Sequence, residues 1–448
     1  MTRLRGAFAA LVLASGVLAA APALAAPELE VAEQTLTRLR RLDLTLDCTL
    51  DTPGSVTVAG TVNGRPFTRR VRVRKAGTRR VKVKVDARRA HVRKLTEPLR
   101  FELTATAEDA AGARVDVPVT ETARVPVVLL PGLGNQPDDA GLLAFAGALA
   151  VASGGEYALG GPDTTLVRVS YDSLGSPLQK SAKLLDRAVA ARLRGSAFAK
   201  ADVVGYSMGG LVARRWLADG GARRARRVLF LATPNEGAPV AQILSIGLQT
   251  DILGTLLDQL PTDAPEVAAL LDALASVPDT DGAVDVLRNF YPTYTWAFLT
   301  VPGLGGSTRI GLTPQLIRQF GSLVPGLAAL PLDFDSPLTA LNAKAPPDGP
   351  EFYALGYTEL PAGGFGAGIG TVDEVDVTPL VSGGNVDPAA LATGDGDGVV
   401  PWRSVRMADV PAWRDRITST DLGAGSHVTL LADPFAIARV LEILGAAE

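Results

Sequence analysis

The sequence predicts an α/β protein in which a mostly parallel sheet, covered by helices and carrying a helical insertion, follows a small all-β unit. Three observations support this. Residues 27 to about 123 hold short β-branched runs with two-residue alternation and almost no helical pattern. From Val125 the pattern changes to continuous apolar runs alternating with helical stretches, as strands buried on both faces require. Charge divides along the same line. The chain has 44 Lys and Arg against 47 Asp and Glu, yet fourteen of the bases and only one acid, Asp86, fall between Arg65 and Lys94. The remainder, 30 bases against 46 acids, is clearly acidic, and two charge regimes imply two units.

In the first unit, Leu42, Leu44, Leu46, Cys48 and Leu50 alternate with polar residues, which places Cys48 on the buried face of a strand. It is the only cysteine, so an intramolecular disulfide is impossible and the fold must stand on its core. "SVTVAGTVNGRPFTRRVRVRK" sets Asn63-Gly64, the favoured pair for a two-residue hairpin turn, between two alternating segments. Val81, Val83 and Val85, then "FELTATAED" and "ARVDVPVT", continue the pattern, so residues 26–123 read as a β-sandwich of immunoglobulin-like type. Its arginines and lysines could grip an anionic membrane or polymer. They could equally form a solvated face that discourages edge pairing.

In the second unit, 124–448, the expected strands are "VPVVLLPGLGN", "TTLVRVSYDS", "ADVVGY", "RRVLFLATPNEG", "EFYALGYT" and "RITST". Helices are expected over 178–193, after Ser207 and from Pro434. The insertion, 238–350, reads as a helical cap. Ile243, Leu244, Leu248 and the aromatic group Phe290, Tyr291, Tyr294, Trp296 and Phe298 are either its core or the inner face of a lid over an apolar substrate. "PAGGFGAGIG" (361–370) lacks the spacing of a dinucleotide fingerprint and reads as a loop.

The first residues stand apart from both units. Arg3 and Arg5, the apolar run Ala7 to Ala21 and the small-x-small site Ala23-Leu24-Ala25 read as a secretory signal peptide, 1–25, which implies a secreted or periplasmic protein. No later stretch is apolar and long enough for a transmembrane span.

Chemistry concentrates at "VVGYSMGGLVARRWLA". Gly205-Tyr206-Ser207-Met208-Gly209 fits Gly-x-Ser-x-Gly between an apolar strand and an apolar-periodic helix, where side chains two before and two after the serine would clash. A serine hydroxyl needs a base to act as a nucleophile. Of two histidines, His91 falls in the basic β unit, whereas His427 falls in a loop after the last expected strand, at the carboxyl edge of the sheet. The orienting acid should lie between Ser207 and His427 in chain order. "GDGDGVVPWRS" offers Asp397 first and Asp395 second, with Glu236 a distant third. A calcium loop is disfavoured there because the third acid and closing glutamate are missing. An oxyanion would be held by the N–H groups of Met208, after the serine, and Leu133, in the loop after the first strand.

These pieces resemble a secreted bacterial lipase or esterase of the α/β-hydrolase superfamily over residues 125–448. "LLPGLGN", "VVGYSMGGLVARRWL", "LATPNEGAPVA", "GDGDGVVP" and "SHVTLLADP" stand in the family's order. Pro131 replaces a common histidine and makes the loop similar to the lecithin–cholesterol acyltransferase branch. Tyr206 and Asn235 also stand where histidines are frequent. The resemblance implies an α/β-hydrolase fold with a cap and cleavage of apolar carboxylic esters. No cofactor, metal or nucleic-acid partner is implied. The alternatives are acyl transfer or phospholipase activity, or a surface-binding protein with an inactive hydrolase domain. The β unit is not part of the resemblance.

Overall fold

The computed structural model describes residues 26–134, 140–159, 164–249, 277, 280–294, 297–303, 306–313, 315–316, 336–360, 371–376, 378 and 391–445. The expected leader, 1–25, and the loop 361–370 lie outside them.

The first seven strands form two antiparallel sheets. One has the order β1 (Glu28–Thr37), β2 (Arg41–Leu50), β5 (Gly77–Asp86). The other has the order β4 (Arg65–Val73), β3 (Gly54–Val62), β6 (Leu99–Asp109), β7 (Arg114–Ala123). Alternate residues of both sheets, among them Leu44, Cys48, Val58, Val83 and Phe101, meet in one core. Burial raises the pKa of the Cys48 thiol and leaves it a small apolar filler. Val62 pairs with Arg65, so Asn63 and Gly64 alone make the β3–β4 turn, both at positive φ as a primed hairpin turn requires.

A six-stranded parallel sheet follows. Its order is β9 (Leu166–Arg168), β8 (Val127–Leu130), β10 (Ala201–Tyr206), β11 (Ala225–Leu231), β14 (Glu351–Gly356), β17 (Ile417–Asp421). Its central strands β8, β10 and β11 are almost wholly buried because they are covered on both faces. Val128, Leu130, Val203, Val228 and Phe230 face a core shared with helices α2 (Leu178–Leu193) and α3 (Met208–Ala218). Val127, Leu129, Val204, Leu229 and Leu231 face α1 (Ala140–Ala152) and the C-terminal helix Pro434–Leu444. That helix is capped by the Asp433 carboxylate, which accepts from the Phe435 N–H. No helix among the described residues is long and apolar enough to cross a membrane.

The separation into two units is less complete than the charge pattern implies. Leu95 N–H donates to Ala197 O and Ala199 N–H donates to Leu95 O, both at 2.9 Å, which brings Phe198 and Ala197 into the core of the β-rich module. At the amino ends of β10 and β11, Arg226 and fully buried Asp202 form a bidentate pair (2.9 and 2.5 Å). Arg226 also donates to Thr96 O in the module. The module is therefore seated on the amino end of the parallel sheet. Phe198→Ala should reduce stability by about 3–5 kcal/mol, as truncation of a buried phenylalanine does. Chemical denaturation checks this, and an unchanged midpoint would show that the two units fold without reference to each other.

Candidate active site

Tyr206 ends β10 and Met208 begins α3, so the chain turns from strand to helix on one residue. Ser207 holds φ 49° and ψ −121°, a conformation that L-residues rarely adopt. The surrounding packing enforces it. A Cβ on Gly205 would lie 2.5 Å from the Gly210 nitrogen, one on Gly209 2.7 Å from the Leu130 and Pro131 oxygens, and one on Gly210 2.0 Å from Thr233 Oγ1. Ser207 N–H donates to Leu231 O at 2.8 Å, which anchors the turn to β11.

His427 Nε2 lies 2.9 Å from Ser207 Oγ, and His427 Nδ1 lies 2.8 Å from Asp397 Oδ2. All three side chains are buried, Asp397 to 1 % exposure. An ionised carboxylate can only accept, so it selects the tautomer with the proton on Nδ1 and leaves Nε2 free to accept from the serine. Backbone holds the acid in place: Asp397 Oδ1 accepts from Val399 and Val400 N–H (3.0 and 2.7 Å), and His427 N–H donates to Asp397 O (3.0 Å). Asp395, two residues earlier, is exposed. Glu236 is buried but points elsewhere, toward the Asp409 N–H. His91 is exposed in the β-rich module.

Tyr206 has a role that sequence reasoning missed. Its hydroxyl donates to His427 O at 2.8 Å and its ring lies against the imidazole, with centroids 5.3 Å apart. The strand that carries the serine thus also ties down the histidine loop. Only its position next to Ser207 could have signalled this.

The two expected oxyanion donors belong to two segments that adjoin the serine. Met208 opens α3, where the first N–H groups have no intrahelical acceptor. Leu133 follows Gly132, whose Cβ, if present, would lie 3.2 Å from Ser207 Cβ. Two bonds fix that loop: Tyr171 Oη donates to Pro131 O (2.5 Å) and Gly134 N–H donates to Ser173 Oγ (3.0 Å). Beside it, a cleft of about 680 Å³ opens between the 172–177 loop and the helix Thr280–Arg288.

Among the described residues, the expected helical insertion is only partly helical. Helix α4 (Pro239–Gln249) and the helix Thr280–Arg288 are present. However, strands β12 (Ala297–Gly303) and β13 (Gly306–Gly311) join β15 (Thr371–Asp376) and β16 (Leu391–Gly394) in a sheet ordered β13-β12-β15-β16. The β-branched residues and paired glycines of 297–311 favour a hairpin over a helix. This sheet supports the acid loop, because β16 runs directly into it and Thr371 Oγ1 accepts from Gly398 N–H at 2.7 Å. Leu244, Phe290 and Tyr291 belong to the main core, so these three are not a free lid face. The Ile243 side chain and Trp296 lie outside the described residues.

Two buried groups lock the loop after β11 to the acid segment. Arg214, on α3, donates to Asn235 O and Asn342 Oδ1, both at 2.7 Å, and lies 4.8 Å above the Trp413 ring. Burial lowers its pKa to about 9. Asn235 Nδ2 donates to Val405 O at 2.8 Å.

No family model matches the chain, and no curated protein matches it in sequence. Among solved structures it is similar to the mature form of a lipase from Bacillus licheniformis, at 14% identity over 72% of this chain and 92% of that one, with TM-score 0.36. It is also similar to an alpha/beta hydrolase from Novosphingobium aromaticivorans (13% identity, 78% and 98% covered, TM-score 0.29). A third similarity is to a thioesterase from the prodiginine biosynthetic pathway of Streptomyces coelicolor (14% identity, 72% and 86% covered, TM-score 0.32).

Glu236 makes the site region sensitive to pH. Burial pushes its carboxyl up to about 7, reinforced by the Asp409 charge and opposed by the Asp409 N–H, Arg403 and Arg214. Between about pH 4.5 and 7 the folded protein keeps a proton that the unfolded chain has released, so this contribution to stability is complete below that window and is lost as pH rises through it. Glu236→Gln keeps the acceptor for Asp409 without the charge. The variant should match the wild type near about pH 4 and exceed it increasingly toward about pH 8, read from denaturant midpoints. A variant less stable than wild type at the higher pH would mean that the carboxylate is ionised and paired.

Proposed function

We propose that the chain is a secreted serine hydrolase that cleaves carboxylic esters of apolar acyl groups through a covalent acyl-enzyme. Residues 124–448 would be the catalytic domain and residues 26–123 an immunoglobulin-like sandwich, following a removed leader at 1–25. The strand orders β1-β2-β5 and β4-β3-β6-β7 favour that sandwich.

One observation carries the reading: Ser207 Oγ, His427 Nε2, His427 Nδ1 and Asp397 Oδ2 form an unbroken relay at 2.9 and 2.8 Å, with the serine raised on a strained turn. His427 takes the serine proton as Oγ attacks the ester carbonyl. Asp397 stabilises the resulting imidazolium, and the N–H groups of Leu133 and Met208 receive the developing oxyanion. As the tetrahedral intermediate collapses, the imidazolium returns the proton to the departing alcohol. Water, deprotonated by the same histidine, then releases the acid. The reaction requires no cofactor.

Ser207→Ala should lower kcat on a soluble nitrophenyl ester by on the order of 10⁴-fold or more with the circular dichroism spectrum unchanged. Asp397→Asn should be far more damaging than Asp395→Asn. Near-native turnover of the folded serine variant would overturn the proposal. Product analysis with an alcohol acceptor separates hydrolysis from acyl transfer: release of free acid supports hydrolysis, and an acylated acceptor supports transfer.

A further inference from the structure

The basic segment of the β-rich module forms a continuous exposed flank. Between Arg65 and Val85 the sequence has ten Lys and Arg and no acid, and all ten are exposed. Strands β4 and β5 are edge strands of different sheets, yet they adjoin on the same side of the module and are linked by residues 74–76. Their outward side chains therefore make one surface rather than two.

How these charges are paired separates a binding surface from a merely solvated one. Elsewhere the chain matches many of its arginines to carboxylates: Arg114 with Asp116, Arg124 with Glu156, Arg224 with Asp186, Arg227 with Glu351 and Arg439 with Glu442. On the flank, among the described residues, only Arg80 has such a partner, Asp47. Charged side chains on an edge strand keep it from pairing. Ten nearly unopposed cations repel one another and exceed that need. Seven of the ten are arginine, whose planar fork matches phosphate oxygens.

We infer that this flank is a docking surface for an anionic phospholipid membrane. The only aromatic residue between Arg65 and Lys94 is Phe67, which is buried, so the flank has no platform for stacking bases. It also has no exposed large apolar side chain to insert, so docking is peripheral, electrostatic and labile to salt. The acidic remainder of the chain is repelled by the same surface, which orients the molecule with the module toward the lipid. Docking leaves the Ser207 end of the sheet facing away from the lipid, because the module meets the amino end of the parallel sheet and the serine lies past its carboxyl end. The inference does not rest on the ester-cleavage reading.

The test is sedimentation of the protein with vesicles of phosphatidylcholine, with and without phosphatidylglycerol. Wild type should bind only the phosphatidylglycerol vesicles, and binding should weaken as ionic strength rises toward and beyond ~0.15 M. At about 1 kcal/mol per basic residue near the surface, Arg72→Gln, Arg74→Gln, Lys82→Gln and Lys84→Gln combined should weaken binding by roughly 100- to 1,000-fold. Thermal unfolding of the combined variant should be unchanged. Equal binding to both vesicle types, salt-independent binding, or undiminished binding by the variant would overturn the inference. So would capture of duplex DNA by a wild type that ignores both vesicles. The salt dependence of wild type decides the matter even if the variant misfolds.

Discussion

The backbone of Ser207, held at φ 49° between β10 and α3, is the constraint around which the candidate site is arranged. Such a conformation costs on the order of 1–3 kcal/mol and persists only where its surroundings leave no alternative. Here β10 is clamped between β8 and β11, and Gly205, Gly209 and Gly210 let strand, helix and the Thr233 loop approach to distances that no side chain would tolerate. The same packing brings Gly132 against the Ser207 Cβ. The position of Ser207 and the approach of the 131–134 loop therefore follow from one local geometry.

Histidine and acid arrive from separate parts of the chain and are fixed by separate means. Tyr206 binds the His427 backbone, so the strand that leads into Ser207 also holds the histidine loop. Asp397 is held by its own turn and by Thr371 of the cap sheet. Asn235 and Arg214 then join the loop after β11 to the segment that follows the acid. The cap thus contributes to positioning the acid as well as covering the sheet. The β-rich module lies at the other end of the strands, roughly 20 Å away given the rise of ~3.3 Å per residue along β10.

The legible parts of the sequence were those where local sterics or elimination left little choice. Gly205 and Gly209 marked the elbow because their spacing is a packing requirement, and β10 and α2 appear over the residues their patterns predict. His427 followed from there being two histidines, and Asp397 from the turn that precedes Gly-Val-Val-Pro. The hidden parts depend on distant partners. Helix α1 is apolar around most of its circumference and shows no amphipathic stripe. The sheet β13-β12-β15-β16 pairs segments that lie on either side of β14 in the chain, so no local period reveals it. Phe198 lies in the short connection before β10, and its local sequence carries no sign that it completes the core of the β-rich module. Lid and core readings of Leu244 and Phe290 had the same apolar pattern, and only the packing separated them.

The central claim is that this geometry makes one serine out of the whole chain nucleophilic. Peptide mapping by mass spectrometry after treatment of the folded protein with a fluorophosphonate tests it most directly. A single adduct on Ser207, formed rapidly in the wild type and lost when His427 is replaced by alanine, is the predicted result. An adduct on any other serine, or an unmodified Ser207 in folded protein, would contradict it.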